Sequence, residues 1–165
     1  MKKLMLLQSQ PSDWGCVPTA FAIALGIPVS MIIKQLGHDG SAKVWPKDEV
    51  DDKYNVKAYH PQELFDFCLR FGVAVTPIDV LPYCQHMFAS VNTIPLWDKE
   101  YCALRTRKYL DNNYGVLYGR VGNAGHAVAW NGEFIFDPAN GGKISKIEDS
   151  SFGIETFYVM HHVHV

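Results

Sequence analysis

The sequence predicts an α+β fold, in which a helical N-terminal half packs against a C-terminal antiparallel β-sheet within one domain, 1–165. Two patterns predict this fold class. Apolar residues recur at helical spacing in several segments of the first two thirds of the chain. The last third contains short strand-like runs separated by turn residues, at 115–121, 125–131, 133–137 and 154–160.

The composition is that of an ordinary globular domain. The chain has 165 residues, 48% of them hydrophobic, and a chain of this length buries about 70% of its unfolded surface on folding. Its 15 basic and 17 acidic residues give a formal net charge of −2, whereas proteins that bind nucleic acid usually carry a basic excess. The apolar runs are too short for a membrane span or a signal peptide. We therefore expect a cytoplasmic protein with reduced cysteines that binds neither nucleic acid nor membrane.

Turn and capping residues divide the N-terminal part into helices. Glycine ends three of them, at Gly26, Gly37 and Gly72, and Asp98 is placed to cap a fourth. The predicted helices cover 16–26, 28–37, 61–72 and 98–110.

Three other segments have different patterns. Residues 1–8 predict a first strand, since two lysines are followed by only a short apolar run. The polar segment 38–59 predicts either an ordered surface loop or a mobile lid. Residues 73–78 have the composition of a strand, and Pro77 assigns this strand to an edge or an end of the sheet.

The dipeptide Asn131–Gly132 lies between two strand-like runs, which is a strong signal for a hairpin with a two-residue turn. If the strands flank this turn directly, His126 lies opposite Asp137. Opposed residues have Cβ atoms about 4.5–5.5 Å apart, so the imidazole is expected to bond to the carboxylate. Taken singly, His126 is more simply a half-buried strand histidine and Asp137 a turn residue. As a pair, they form the base and orienting group of a nucleophilic triad.

Cys16 is the candidate nucleophile for this pair. It follows Gly15 at the start of the first predicted helix, where unpaired N–H groups and the helix dipole favour a thiolate. Its own N–H and the side-chain amide of Gln10 are the expected donors of an oxyanion hole. The bland alternative for Cys16 is a small buried apolar residue, and this is the expected role of the other cysteines, Cys68, Cys84 and Cys102.

At these residues the chain resembles the papain-like cysteine peptidase superfamily, and more closely the small domains that remove double-glycine leaders from bacteriocins. The resemblance lies in Gln10-Pro-Ser-Asp-Trp-Gly-Cys16 with the alanine-rich helix after it, in Gly125-His126-Ala-Val, and in Asp137-Pro138. The segment 25–41 also looks like small free-standing relatives often carried by bacteriophages. The resemblance implies a papain-like fold and four roles. Gln10 helps to form the oxyanion hole, Cys16 attacks, His126 is the base and Asp137 orients it.

Together these residues predict a cofactor-free thiol hydrolase that cleaves a peptide or isopeptide bond of a protein or peptide substrate through an acyl-enzyme. Two alternatives remain open. The same triad supports acyl transfer or side-chain deamidation of the transglutaminase type. A papain-like binding protein without turnover, such as a phage factor that engages a host protein, is the alternative of a different class.

Further residues have roles that the sequence leaves less defined. Trp14, beside Cys16, and Gly125, beside His126, are the candidate substrate-binding residues, although Trp14 fits core packing equally well. His38–Asp39, between two glycines, is interpreted as a helix stop followed by a turn. The C-terminal histidines lack a spaced carboxylate or thiolate, so no metal site is predicted among them: His161, His162 and His164.

Overall fold

The computed structural model describes residues 3–45, 56–85 and 93–163, and over these ranges it confirms the predicted α+β class. The described helices are α1 (Cys16–Leu25), α2 (Val29–Leu36), α3 (Pro61–Arg70) and α4 (Lys99–Asn112). The described strands are β1 (Lys43–Trp45), β2 (Val56–Lys57), β3 (Val73–Asp79), β4 (Tyr83–Gln85), β5 (Thr93–Pro95), β6 (Gly115–Val121), β7 (Ala124–Trp130), β8 (Phe134–Asp137), β9 (Lys143–Lys146) and β10 (Phe152–His162).

The main sheet has six antiparallel strands in the order β3-β10-β6-β7-β8-β9. The long strand β10 pairs with both β3 and β6, so it connects the first edge of the sheet to the strands of the last third. β3 contains Pro77 and lies at an edge, as its proline predicts. Two small antiparallel pairs, β1 with β2 and β4 with β5, lie outside this sheet.

The predicted helices agree with the observed ones to within about two residues at most ends, and their caps explain why. Gly26 and Gly37 adopt left-handed conformations, with φ of 74° and 77°, after α1 and α2. The Asp98 carboxylate accepts the Tyr101 N–H at 2.8 Å, which caps α4. α3 begins with Pro61 after His60, whose ring accepts the Gln62 N–H.

Both faces of the sheet are covered. On one face, α1 packs against small and aromatic side chains such as Ala127, Ala129 and Phe136. On the other face, Val128 and Trp130 belong to a second buried cluster, and the Trp130 indole donates to the Leu110 carbonyl of α4 at 2.8 Å. Because side chains point alternately to the two faces along β7, successive residues pack into the buried clusters on opposite faces of the sheet. Because α1 is buried almost throughout, the position of its first residue is tightly constrained.

The predicted first strand is wrong, because the described residues 3–10 form no strand. Polar side chains instead anchor this segment to the helices. Gln8 accepts the Val29 N–H at 2.8 Å and donates to the Ile27 carbonyl at 2.7 Å. Met5 is buried in the core while Leu4 is 92% exposed. The segment is therefore held by side-chain bonds to the turn between α1 and α2 and does not pair with the sheet as a strand.

Two further segments differ from expectation. The segment predicted to be an ordered surface loop or a mobile lid, 38–59, contains β1 and β2, and the part between them, 46–55, lies outside the described residues. β9 was not predicted, because its short polar sequence, Lys-Ile-Ser-Lys, has little strand character. It pairs with β8 at the edge of the sheet. Within the described part of the chain, no helix is both long and apolar enough to cross a membrane.

Candidate active site

His126 and Asp137 are joined by a short hydrogen bond. His126 Nε2 lies 2.7 Å from Asp137 Oδ1, and the His126 side chain is only 13% exposed. The same oxygen of Asp137 accepts the Ala139 N–H at 2.8 Å, which fixes the carboxylate in the turn after β8. The ring of Phe152 packs edge-on against the imidazole. Since Nε2 is held by Asp137, Nδ1 is the ring nitrogen left to act on another group.

The two residues meet although the predicted hairpin register is wrong. The observed pairs are Ala129 with Phe136 and Trp130 with Ile135, two residues away from the predicted alignment. The side-chain oxygen of Asn131 accepts the N–H groups of Glu133, at 3.0 Å, and of Phe134, at 2.8 Å. Asn131 therefore precedes the two central residues of the turn instead of being the first of them.

A shift of two residues keeps every side chain on its predicted face, because side chains alternate with a period of two. Extending the observed register places Asp137 opposite Val128, so His126 lies diagonally across from Asp137. Diagonal neighbours are about 7–8 Å apart at Cα, which long side chains can still bridge. The predicted contact between His126 and Asp137 is therefore correct, but it forms across a diagonal and not between directly opposed residues.

Cys16 is the first residue of α1 and lies beside the His126 ring. Gly15 precedes it as N-cap, and the part of the chain that the structure describes supplies no side-chain cap there. Pro18 has no N–H, and Thr19 bonds back to the Gly15 carbonyl. The N–H groups of Cys16 and Val17 are therefore at positions without an intrahelical acceptor. Such groups form a favourable environment for negative charge.

The charges at this site support one another. Burial opposes protonation of His126, but its bond to Asp137 and a hydrogen-bonding interaction with the Cys16 thiol raise the pKa of the imidazole to about 9. For Asp137, burial acts to raise the pKa of the carboxyl, yet the bonds from His126 and from the Ala139 N–H lower it below its ordinary value. At neutral pH the pair is therefore an imidazolium and a carboxylate.

Gln10 is attached to both ends of this site. Its backbone N–H donates to the carbonyl of Pro138, the residue after Asp137, at 2.9 Å. Its side-chain Nε2 donates at 3.0 Å to the Ser12 carbonyl, which also accepts the Gly15 N–H. Its Oε1 is buried without a hydrogen-bond partner among the described residues. The structure thus brings together all four residues predicted for catalysis, Gln10, Cys16, His126 and Asp137.

A cavity of about 410 Å³ opens beside Cys16. Both predicted substrate-binding residues, Trp14 and Gly125, line it, together with Tyr59 and Tyr118. Trp14 is 36% exposed and therefore forms a wall of this cavity rather than part of the core. Two larger cavities lie along α4 and contain none of the residues predicted for the site.

The other cysteines differ from Cys16 in their surroundings. Cys68 and Cys102 are buried and unpaired, whereas Cys16 is partly exposed. Burial raises the pKa of the Cys68 thiol to about 12, so this side chain is an inert part of the core. The Cys84 side chain lies outside the described residues, and its predicted structural role stays a prediction.

Two residues of this region were missed from the sequence. Tyr118 on β6 pairs with Ala127, next to His126, and its hydroxyl reaches the cavity near Gly125. The dipeptide Gly122–Asn123, a two-residue hairpin signal, would have predicted this register.

His38 lies in the predicted turn, where Asp39 accepts the Ser41 N–H and hydroxyl, but it also bonds to Glu63 at 2.8 Å. No sequence signal indicated this bond, because His38 lies in a turn 25 positions before Glu63 of α3.

No group of three or more side chains suited to hold a metal ion occurs within residues 3–45, 56–85 and 93–163. His161 and His162 end β10, and His164 lies outside these ranges.

No protein-family model matches the chain, and no curated protein sequence matches it.

Proposed function

We propose that the protein is a papain-like cysteine hydrolase that cleaves a peptide or isopeptide bond. The observation that carries the proposal is the series of contacts from the Cys16 thiol to the His126 ring and from that ring to the Asp137 carboxylate. A nucleophile, a base and an orienting group in this order are what thiol catalysis requires. The proposal includes action in the cytoplasm, where a thiol nucleophile stays reduced.

In the first half of the reaction, the sulfur of Cys16 attacks the carbonyl carbon of the substrate. The imidazolium of His126 stabilises the thiolate beforehand. It then gives its proton to the departing amine as the C–N bond breaks. The product of this half is a thioester between the substrate acyl group and Cys16, together with the released amine.

In the second half, the neutral imidazole takes a proton from water, and the water oxygen attacks the thioester carbon. The C–S bond breaks, the acid product leaves, and the Cys16 thiolate is formed again beside the imidazolium of His126. Asp137 keeps Nε2 engaged throughout, so Nδ1 is the nitrogen that exchanges the proton with sulfur, amine and water.

The negative oxygen that forms in each half needs donors. The Cys16 N–H is one, because it lies at the first position of α1. The Gln10 amide is the second. An amide nitrogen carries two hydrogens, and only one of them is needed for the bond to Ser12. That bond holds the amide against the turn that leads into Cys16.

The first test measures whether Cys16 is an activated thiol. The protein is treated with iodoacetamide between pH 5 and 9, and adducts at each cysteine are quantified by peptide mass mapping. We expect Cys16 to react at pH 6 at least about tenfold faster than glutathione, and His126→Ala to abolish this advantage. An ordinary thiol pH profile at Cys16 would contradict the proposal.

The second test identifies the reaction. Peptide and ubiquitin-like substrates are incubated with wild type and with Cys16→Ala, and products are analysed by mass spectrometry. Cleavage that depends on Cys16 supports the hydrolase. Deamidated or cross-linked products would replace it with acyl transfer to a different acceptor, and an activated thiol without any product would favour the binding protein.

A further inference from the structure

The cavity beside Cys16 has an aromatic wall that is fixed by a turn distant in sequence. We propose that the turn 38–40 sets the position of Tyr59, and through it the width of a binding site for a flat apolar group next to Cys16. His38 and Gly40 are then positioning residues for this site. The inference rests on the proposed function only in taking that group to belong to the substrate of Cys16.

The cavity lining is largely apolar, although Asp13, Lys57 and His60 also contribute to it. Trp14, Tyr59 and Tyr118 supply aromatic surface, Val17 and Pro61 add aliphatic surface, and Cys16 lies at one side. Its 410 Å³ lie within the range of about 300–1,000 Å³ that is usual for ligand sites. An apolar cavity of about 150 Å³ is already enough to bind benzene.

Tyr59 is held against the turn by two contacts. Its hydroxyl donates to the His38 carbonyl at 2.8 Å, and its ring stacks on the His38 ring, with centroids 4.7 Å apart and planes inclined by 25°. Tyr59 is only 5% exposed. Its ring therefore cannot move into or out of the cavity unless His38 moves as well.

His38 is in turn fixed by α3. Its Nε2 lies 2.8 Å from Glu63 Oε1, while the other oxygen of Glu63 accepts the His60 N–H at 2.9 Å. The Nδ1 of His38 accepts the Gly40 N–H at 3.2 Å. The Glu63 carboxylate thus connects the turn 38–40 to the start of α3. This helix begins at Pro61, two residues after Tyr59.

Gly40 makes the closest approach to the cavity walls. A Cβ at this position would lie 2.7 Å from Tyr59 Cε2 and 3.2 Å from Trp14 Cβ. No side chain fits there unless one of these two walls moves. Glycine at position 40 therefore allows the turn to pack directly behind both aromatic residues.

The adjoining backbone is also unusual. Ala58, between β2 and Tyr59, has φ of 137°, the only positive φ of a non-glycine residue in the described part of the chain. Residues in such conformations persist only where their surroundings enforce them, and they cluster at binding sites. Ala58 itself lines the cavity.

Gly37 provides a matched control for Gly40. Both glycines have φ of 77°, so a side chain at either position meets the same backbone strain. A Cβ at Gly37 would have nothing within 4 Å, whereas a Cβ at Gly40 meets the cavity walls. A difference between Gly37→Ala and Gly40→Ala therefore reports the contact with the walls and not the strain.

The test compares two alkylating reagents that share a reactive group. Iodoacetamide is small, and iodoacetanilide carries a phenyl ring. Adducts at Cys16 are quantified by peptide mass mapping, and the ratio of the two rate constants is divided by the same ratio for glutathione. We expect this normalised ratio to be about ten in wild type, the equivalent of a modest binding energy.

Gly40→Ala is expected to lower the normalised ratio to near one, while Gly37→Ala keeps the wild-type ratio. Tyr59→Phe provides a second variant if Gly40→Ala does not fold. It keeps the ring but removes the hydroxyl bonded to His38, and we expect a ratio clearly below that of wild type. N-cyclohexyl iodoacetamide, which is bulky but not flat, should give a smaller normalised ratio to iodoacetamide than iodoacetanilide does.

Three outcomes overturn the inference. One is a normalised ratio near one in wild type. Another is the same ratio in Gly37→Ala and Gly40→Ala, which would assign the effect to backbone strain. The third is an unchanged ratio in Tyr59→Phe. The failure of the proposed function looks different, because Cys16 would then react with iodoacetamide like an ordinary thiol while the ratio between the reagents stays high.

Discussion

His126 and Asp137 are bonded at 2.7 Å although they lie diagonally, and not directly opposite, across β7 and β8. Long side chains can bridge such a diagonal, and the carboxylate oxygen that meets the imidazole is held in place by the Ala139 N–H. Together with Cys16 at the start of α1, this bond determines which ring nitrogen faces the thiol.

Asp137→Asn tests the electrostatic part of this bond. The asparagine oxygen can still accept from Nε2, so the ring keeps its orientation while the negative charge is lost. We expect the pKa of His126 to fall from about 9 towards its ordinary value of 6.5. The titration is measured by NMR of the ring protons. Asp98→Asn, which keeps an N-cap on α4, is the control and should leave this titration unchanged.

The raised pKa of His126 also predicts a pH dependence of stability. A group whose pKa is raised on folding stabilises the protein fully below its unfolded pKa, here about 6.5, and this contribution is lost as the pH rises through about 9. We expect wild type to lose on the order of 2–3 kcal/mol more than His126→Ala between pH 6 and pH 9.5. Urea unfolding at the two pH values measures this. Equal losses in both proteins would show that His126 is not protonated in the folded state.

Asp137 acts in the opposite direction. Its pKa is lowered on folding, so its contribution is present above its ordinary value of 3.8 and is lost as the pH falls through the lowered value. We expect the difference in stability between wild type and Asp137→Ala to shrink as the pH falls from 5 through the lowered pKa. Urea unfolding at a series of pH values below 5 checks this, and a difference that does not shrink would contradict it.

Gln8 and Gln10 are a matched pair with opposite expected effects. Gln10→Ala removes the proposed oxyanion donor, so we expect kcat to fall by about 10²-fold or more. It also removes a buried oxygen that has no partner among the described residues. Its loss of stability should therefore stay near 1 kcal/mol or below.

Gln8→Ala instead removes two bonds to the backbone around Pro28. We expect it to lower the free energy of unfolding by roughly 1–3 kcal/mol and to leave kcat nearly unchanged. Steady-state kinetics and urea unfolding of both variants measure the contrast. A similar loss of kcat in both would indicate that Gln10 acts only on the structure.

Gly119 is expected to be intolerant of any side chain. It lies opposite His126 on β6, and a Cβ there would overlap the Gly153 carbonyl oxygen of β10. We expect Gly119→Ala to destabilise the protein by about 2 kcal/mol or more, because a main-chain strand must move. Gly153→Ala is the control, since the nearest atom to its Cβ lies at 3.8 Å. Thermal unfolding of both variants checks this difference.

The four described helices and five of the six strands of the main sheet were predictable because their signals are local, whereas the small pairs β1 with β2 and β4 with β5 were not predicted. Apolar spacing, glycine stops and the Asp98 cap act within a few residues, and the structure preserves them. The exceptions are segments whose structure depends on distant partners. Residues 3–10 follow the bonds of Gln8 to the α1–α2 turn, and β9 exists because β8 offers it an unpaired edge.

The contact between His126 and Asp137 was predictable for a different reason. A hairpin read two residues out of register still sends His126 and Asp137 to the same face, because side chains alternate with a period of two. The geometric detail was not predictable, since the exact register was decided by the Asn131 side chain bonding to its own turn.

The sequence by itself determined the α+β class, the start of α1 at Cys16 and the face shared by His126 and Asp137, since each depends on short-range periodicity or capping. Only the tertiary structure decided that the Cys16 thiol meets the His126 imidazole. It also decided that Gln10 joins the turn before Cys16 to the turn after Asp137. The support of the Tyr59 ring by His38 and Gly40 is likewise a tertiary feature. Apart from the local bond of Gln10 to Ser12, these contacts join residues from 19 to more than 100 positions apart. They form only when α1, the turn 38–40 and the sheet pack around one buried core.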